Sequence, residues 1–201
     1  MIDWSSESVD FLATNSSARW QGQDYFFLPG VSWTRGANHV PIKVKHIEPA
    51  IMDVNAMKLS PIRTSRLTPD YLLAIFNSDV FSYFLKKFIA HTWMAQISDV
   101  RMMPIVIPSR AQHTRVQELA KLCIEAKRAE FTNTPPPNSL VARTREIAGE
   151  LQADAPACLR PSAQQILLET PHDCLAVLES AVNFEAEKLY GVEGLGPFDE
   201  F

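Results

Sequence analysis

The sequence contains acidic and lysine residues in the order that a metal-dependent nuclease would need, but their setting argues against that chemistry. Such a nuclease gathers a divalent cation around carboxylates on adjacent strands, in a Pro-Asp and then Glu-x-Lys order. Pro69-Asp70 and Glu125-Ala126-Lys127 have those letters. Both lie in segments with helical periodicity, and Asp70 is accounted for by the positive first turn of a helix. The letters therefore do not predict a nuclease site.

Other catalytic patterns are absent from the sequence or incomplete. Thr134-Pro135-Pro136-Pro137 is the stretch nearest to the polar-Pro-Pro-aromatic loop with which an amino-methyltransferase holds a flipped base, but no aromatic residue follows it. The sequence has no GxSxG, GxGxxG or P-loop pattern. Its histidines and cysteines share no metal-ligand spacing. We therefore expect no catalytic site, cofactor site or metal site in this region.

The composition is that of a globular chain whose charge is unevenly distributed. The 201 residues are 46% hydrophobic and 21% charged, with a net charge of −4. No apolar run approaches the roughly 20 residues that span a bilayer, the first residues lack a signal-peptide pattern, and the cysteines are widely separated. We therefore expect a cytoplasmic protein without a membrane partner.

The middle of the chain is basic and its end is acidic. Residues 25–130 carry 14 Lys and Arg against 8 Asp and Glu, whereas residues 131–201 carry 4 against 11. This separation permits a basic face that binds phosphates despite the acidic total.

Hydrophobic periodicity divides the chain into a strand-rich part and a helical part. Alternation and short apolar runs predict strands at residues 25–28, 31–34, 40–45, 50–52 and 103–108. Helical spacing and capping residues predict helices at 68–76, 80–89, 110–131, 139–153, 161–168 and 171–190. Phe81, Phe84 and Phe88 are expected in the core, and three consecutive prolines break the chain between the third and fourth of these helices.

Several motifs in residues 25–130 follow one another in an informative order. Tyr25 to Thr34 combines an aromatic run with Pro-Gly-Val-Ser-Trp-Thr, and Tyr71 to Ser78 reads YLLAIFNS. The Met-Pro-Ile-Val-Ile-Pro segment 103–108 and the capped helix 112–128 come next. In this order they resemble the target-recognition domain of bacterial adenine-N6 DNA methyltransferases and of restriction-modification specificity subunits. Residues 178–191, which include Leu-Tyr-Gly, look like the terminus of long methyltransferases of phage-defence and type II restriction systems.

The resemblance implies an α+β fold, with a small mixed or half-barrel sheet and flanking helices followed by a helical C-terminal bundle. It divides the chain into an irregular segment (1–24), a target-recognition domain (25–132), a Pro-rich linker (133–138) and an acidic helical region (139–201). Because such enzymes carry their catalytic motifs upstream, we expect a C-terminal specificity portion that is not an enzyme on its own. The implied partners are double-stranded DNA and a catalytic domain or subunit, and SAM would bind there.

Basic and polar side chains in strands and loops are the candidate DNA contacts. Phosphate contacts position such a domain, and base-edge contacts give sequence specificity. The candidate phosphate partners are Lys43, Lys45, Lys58, Arg63, Arg66 and Arg101. The candidate base readers lie in two loops, one after Trp33 and one after the helix predicted at 80–89. They are Arg35, Asn38, His39, His91, Thr92 and Gln96. Trp33 itself is expected to pack in the core.

A second function class fits the same sequence. The acidic helical part, 139–190, would dock a partner subunit of a defence complex or mask the basic face. Each candidate cation taken singly also fits a solvated surface position.

Overall fold

The computed structural model describes residues 5–18, 22–35, 42–52, 55–61, 66–90, 92 and 94–195. In chain order its elements are α1 (Ser6–Thr14), β1 (Gly30–Thr34), β2 (Val44–Ile47), β3 (Ala56–Leu59), α2 (Pro69–Phe76), α3 (Asp79–Phe84), α4 (Ile97–Arg101), α5 (Arg110–Phe131), α6 (Asn138–Asp154), α7 (Ala163–Ile166) and α8 (Pro171–Tyr190). A π-helical turn, Leu85–Ile89, continues α3. These elements confirm the predicted α+β class.

The sheet is small and open, with the strand order β2-β1-β3. Both strand pairs are antiparallel, so the described strands include no parallel pair. The central strand β1 turns Val31 and Trp33 into the core, as the alternation of side chains along a strand requires. At its start, a Cβ on Gly30 would lie 2.3 Å from the carbonyl oxygen of Leu59. Only glycine therefore allows β3 to approach so closely.

Two of the predicted strands in this region are wrong. Gln23–Tyr25 forms a 3-10 turn, and Phe27 has a φ of 57°. These backbone conformations exclude an extended strand at residues 25–28. Residues 50–52 are irregular. The strand that completes the sheet is β3, whose sequence, Ala-Met-Lys-Leu, lacks the β-branched and aromatic residues that mark strands.

The proline-bracketed segment 103–108, predicted as a strand, pairs with no strand in the described part of the chain. Two tyrosines bind its carbonyl groups instead. The Tyr71 hydroxyl of α2 donates to the carbonyl of Val106 at 2.9 Å, and the Tyr190 hydroxyl of α8 donates to that of Pro104 at 2.8 Å. Because proline has no N–H to offer a ladder, this segment is anchored by side chains.

The start of α5 and the end of α8 lie where their capping residues predict. Ser109 and Gln112 form the predicted capping box of α5, with hydrogen bonds of 3.3 and 2.9 Å. Gly191 ends α8 in a left-handed conformation, with a φ of 65°, which glycine adopts without strain. Helix α7, Ala163–Ile166, is shorter than the 161–168 that the sequence predicts.

The helix predicted at 80–89, which forms α3 and its π-helical turn, is buried less completely than its sequence predicts. Phe81 is fully buried and Phe84 is partly buried, but Phe88 is 64% exposed. The π-helical turn Leu85–Ile89 has a wider repeat than an α-helix. Residues in it therefore drift off the apolar stripe, and Phe88 lies outside the core.

Three consecutive residues join the sheet to the helices. The Asn77 side chain pairs with the backbone of Val44 as a neighbouring strand would. Its Oδ1 accepts the Val44 N–H at 2.9 Å, and its Nδ2 donates to the Val44 carbonyl at 2.8 Å. The Ser78 hydroxyl caps α3, and the backbone N–H of Asp79 donates to Oδ1 of Asn183 in α8 at 2.8 Å. β2, α3 and α8 are thereby fixed to one another.

One hydrophobic core extends across the linker at 133–138. Residues of β1, β2, α2 and α3 belong to the same buried cluster as residues of α6 and α8. The division into a recognition domain and a helical region stays a prediction, and the two parts share their interior.

The Leu-Tyr-Gly end of α8 is also held by specific contacts. The buried carboxylate of Glu187 accepts the backbone N–H groups of Gly194 and Leu195, each at 3.0 Å. The turn that follows Gly191 is thereby folded back onto the helix.

Helices α5 and α6 are joined by an ion-pair network centred on Glu118. Its carboxylate accepts from Nε of Arg143 at 2.7 Å and from Nη1 of Arg115 at 3.4 Å. The hydrogen bond from Arg143 is the main cause that holds the pKa of Glu118 below its usual value. Arg115 also pairs with Glu150, and Arg143 with Glu146.

Replacing Asn77 should destabilise the fold. Asn77→Ala removes both side-chain partners of the Val44 backbone, so we expect a loss of about 2–3 kcal/mol in the free energy of unfolding. Urea unfolding followed by circular dichroism measures this loss. Asn138→Ala, at an exposed position of α6, is the matched control and should change little. A loss below about 0.5 kcal/mol for Asn77→Ala would show that the amide does not hold β2.

The Glu118 network should make stability depend on pH. A carboxylate with a lowered pKa in the folded state stabilises the fold above its unfolded pKa, and this stabilisation is lost as the pH falls. At neutral pH the free energy of unfolding of wild type should therefore exceed that of Glu118→Gln, by less than about 1 kcal/mol because the ion pairs of Glu118 are partly exposed. The difference should begin to shrink as the pH falls towards about 4, the ordinary pKa of a glutamate, and should disappear below the lowered pKa of the folded state. Glu125→Gln is the control, and a difference independent of pH would contradict the prediction.

Candidate nucleic-acid interface

The structure describes eight of the twelve predicted DNA contacts. These are Arg35, Lys43, Lys45, Lys58, Arg66, Thr92, Gln96 and Arg101. The other four, Asn38, His39, Arg63 and His91, lie outside the described residues.

Lys43 and Lys45 lie at the exposed edge of the sheet that β2 forms. Ile42 and Val44 are buried and both lysines are exposed, as the alternation predicts. The hydrogen bonds between Asn77 and the Val44 backbone fix the rotation of this segment. The two ammonium groups therefore stand on one side of a backbone that is held in place.

Lys58 is engaged in a different way. Its Nζ donates to the carbonyl oxygens of Leu28, Tyr25 and Ala50, at 2.5, 3.1 and 3.3 Å. Partial burial lowers the pKa of this ammonium. The three carbonyls use its donors to hold the segments around Leu28 and Ala50 against the sheet. Lys58 thus has a structural role, and its ammonium donors are used within the protein.

Arg35, at the end of β1, contacts the described residues that follow Thr92. The N–H of Ala95 donates to the Arg35 carbonyl at 3.0 Å, and the Trp33 indole donates to the Ala95 carbonyl at 2.9 Å. An Nη2 of Arg35 also lies 3.6 Å from the Met94 sulfur. Arg35 is therefore placed next to Met94 and Ala95. The side chain of Thr92, two residues before Met94, is exposed.

Trp33 itself belongs to the core. Its side chain is 2% exposed, and its indole N–H is used within the protein. The predicted packing role fits this position, and a base-stacking role does not.

Gln96 and Arg101 lie on the same stretch, at the two ends of α4. The N–H of Gln96 donates to Oδ2 of Asp99 at 2.8 Å, which caps the helix. Both side chains are exposed. The surface at α4 also exposes the apolar side chains of Ile97 and Met102.

Seven ion pairs join side chains of the helices α5, α6 and α8. Across the described part of the chain, five of the predicted contacts have no acidic side chain within ion-pair distance, and these are Arg35, Lys43, Lys45, Arg66 and Arg101. The acidic helices therefore do not neutralise these cations in the structure.

A cleft beside the start of α5 adds two residues that sequence reasoning missed. It has a volume of 220 Å³ and is lined by Arg66, Pro108, Arg110 and His113. Arg66 is one of the predicted phosphate partners. The residues that were missed are Arg110 and His113. The capping box at Ser109 is the signal that could have indicated them, because it places both in the first turns of α5.

The described residues bear on two kinds of catalytic site, a metal site and a site with a reactive thiol. They contain no group of three or more His, Cys, Asp or Glu side chains that could hold a metal ion. Burial raises the pKa of the Cys123 and Cys174 thiols, which disfavours the reactive thiolate.

Comparisons of the chain with protein-family models, with curated proteins and with solved structures give no match. Among the described helices, none combines the length and the apolar character that crossing a membrane requires.

Proposed function

We propose that the chain recognises specific sequences in double-stranded DNA. In this proposal it is the C-terminal specificity portion of an adenine-N6 DNA methyltransferase of a bacterial restriction-modification or phage-defence system. The catalytic site and SAM then belong to another domain or subunit, and the protein works in the cytoplasm. The motifs of residues 25–130 and the Leu-Tyr-Gly terminus supply the resemblance behind this assignment.

The distribution of paired and unpaired cations carries the proposal. Arginines of α5 and α6, such as Arg115 and Arg143, form ion pairs with glutamates. The cations around β2 and the end of β1 have no acidic partner in the described part of the chain. Unpaired surface cations can neutralise DNA phosphates, and the release of the counterions that had been bound to the DNA favours binding. The sheet edge would then bind the DNA backbone, and Arg35 would reach base edges from the loop beside it.

A separate observation favours a contact with another protein surface as well. Helix α1 buries none of its residues, and Phe11 is 63% exposed. A catalytic domain or partner subunit would cover such an apolar side chain. The protein-interaction role is therefore the second candidate function.

The sheet edge should control the salt dependence of DNA binding. Lys43→Ala/Lys45→Ala should weaken binding and reduce the slope of log K against log salt by up to about two, because each phosphate contact contributes about 0.9. Fluorescence anisotropy with a labelled duplex, from about 50 to 200 mM salt, measures the slope. Lys121→Ala, on the exposed face of α5, is the control.

Two outcomes of that titration would count against the proposal. An unchanged slope in the double variant would remove β2 from the interface. No binding of wild type at the lowest salt, together with a stoichiometric complex with a methyltransferase subunit, would favour the interaction role.

Arg35 should affect which sequence is bound. Selection from a randomised duplex library should enrich one motif with wild type, and Arg35→Ala should enrich a relaxed motif or none, because a bidentate base contact is worth about 1–3 kcal/mol of discrimination. Lys43→Ala/Lys45→Ala is the control and should retain the wild-type motif at lower affinity. Enrichment of the same motif by Arg35→Ala would exclude Arg35 from base recognition.

A further inference from the structure

The cleft at the start of α5 brings together two arginines from different parts of the chain. Arg66 precedes α2 and Arg110 is the first residue of α5. Both side chains are exposed. Within the described residues, neither guanidinium has an ion pair or a hydrogen bond with another side chain. Two cations that converge on one cleft without a counter-charge form a site for an anion.

The position of Arg110 strengthens this inference. The N-terminus of a helix carries partial positive charge, so acidic residues are favoured there and cations are disfavoured. The first turn of the 22-residue helix α5 contains no acidic residue and begins with an arginine. The Ser109 hydroxyl already accepts the Gln112 N–H. An anion in the cleft would therefore bind the guanidinium and the backbone N–H groups of Arg110 and Ala111.

The wall of the cleft is held in place by aromatic packing. The ring of His113 stacks on Tyr71, with 5.3 Å between their centroids. The Tyr71 hydroxyl is itself bound to the Val106 carbonyl. Nε2 of His113 is buried and has no hydrogen-bond partner in the described structure. The cleft therefore exists before a ligand arrives.

We propose that this cleft binds a phosphate group, held between Arg66 and Arg110 at the start of α5. Guanidinium groups match phosphate oxygens in a bidentate geometry and stay charged at all relevant pH values. The volume of 220 Å³ admits a phosphate group together with water. The ligand is a phosphodiester of a DNA backbone or a free phosphate. The first source rests on the proposed function, and the second does not.

Inorganic phosphate tests the cleft independently of DNA. NMR spectra of the ¹⁵N-labelled full chain, titrated at constant ionic strength, should show saturable shifts at the Arg110 and Ala111 amides and the His113 ring. Arg66→Gln and Arg110→Gln should each weaken binding about tenfold, the loss expected for one charge-assisted contact. Arg145→Gln, an exposed position of α6 without an ion pair among the described residues, should bind like wild type. Circular dichroism verifies that each variant is folded.

A DNA duplex identifies the source of the phosphate. If Arg66→Gln and Arg110→Gln also weaken duplex binding, and phosphate competes with the duplex, the ligand is a backbone phosphodiester. If phosphate binds but duplex binding is unaffected by the variants, the cleft takes a free phosphate.

Two results would overturn the proposal. One is the absence of saturable phosphate shifts in wild type, and the other is equal phosphate affinity in wild type, Arg66→Gln and Arg110→Gln. Either result, with duplex binding intact, rejects the cleft and leaves the proposed function standing. Phosphate binding without any duplex binding supports the cleft and rejects the proposed function.

Discussion

The side-chain amide of Asn77 takes the place of a strand beside β2. The backbone N–H and carbonyl of Val44 are both satisfied by this one side chain, at a sheet edge where such groups would otherwise be open. Because Asn77 ends α2, the pairing sets the distance between the sheet and the helix. The exposure of Lys43 and Lys45 on one side and the burial of Val44 on the other depend on it. The next two residues, Ser78 and Asp79, extend the same connection to α3 and α8.

The helical part contributes to the candidate interface through support and through charge. Helix α8 packs in the same core as the sheet, and Tyr190 anchors the segment that leads into α5. Many acidic side chains of α5 and α6 are used in pairs with arginines, as in the network around Glu118. The negative total charge of the chain is therefore compatible with a basic sheet edge, since the two charges occupy different elements.

Local signals predicted the ends of α2, α5 and α8, because caps act over a few residues. Ser109, Thr68 and Gly191 mark helix ends by hydrogen bonds or backbone conformations that their own sequences specify. The expectation of an irregular segment at 1–24 was wrong, since Ser6–Thr14 forms α1, and α4 was not predicted. Strands were predicted less well, because a strand exists only where a partner accepts it. Segment 103–108 looked like a strand, but tyrosines distant in sequence bind its carbonyls.

The same limit applies to the candidate site. Alternation correctly predicted that Lys43 and Lys45 are exposed. No local pattern shows that three carbonyls surround the ammonium of Lys58. Nor does one show that the segment at Ala95 lies beside Arg35. These contacts join residues that are far apart in the chain, and they depend on the completed fold.

The hydrogen bonds between Asp79 and Asn183 have a consequence for how this region can be exchanged between proteins. They join residues on opposite sides of the proline-rich linker, with the Asn183 amide donating to Asp79 Oδ2 at 2.6 Å and accepting from its backbone. A recombination breakpoint at the linker would replace the residues of one part that pack in the shared core with those of another protein. It would also separate Asp79 from Asn183. The unit that can be transplanted intact therefore includes α8, and a chimera designed to change specificity should cross over beyond Tyr190.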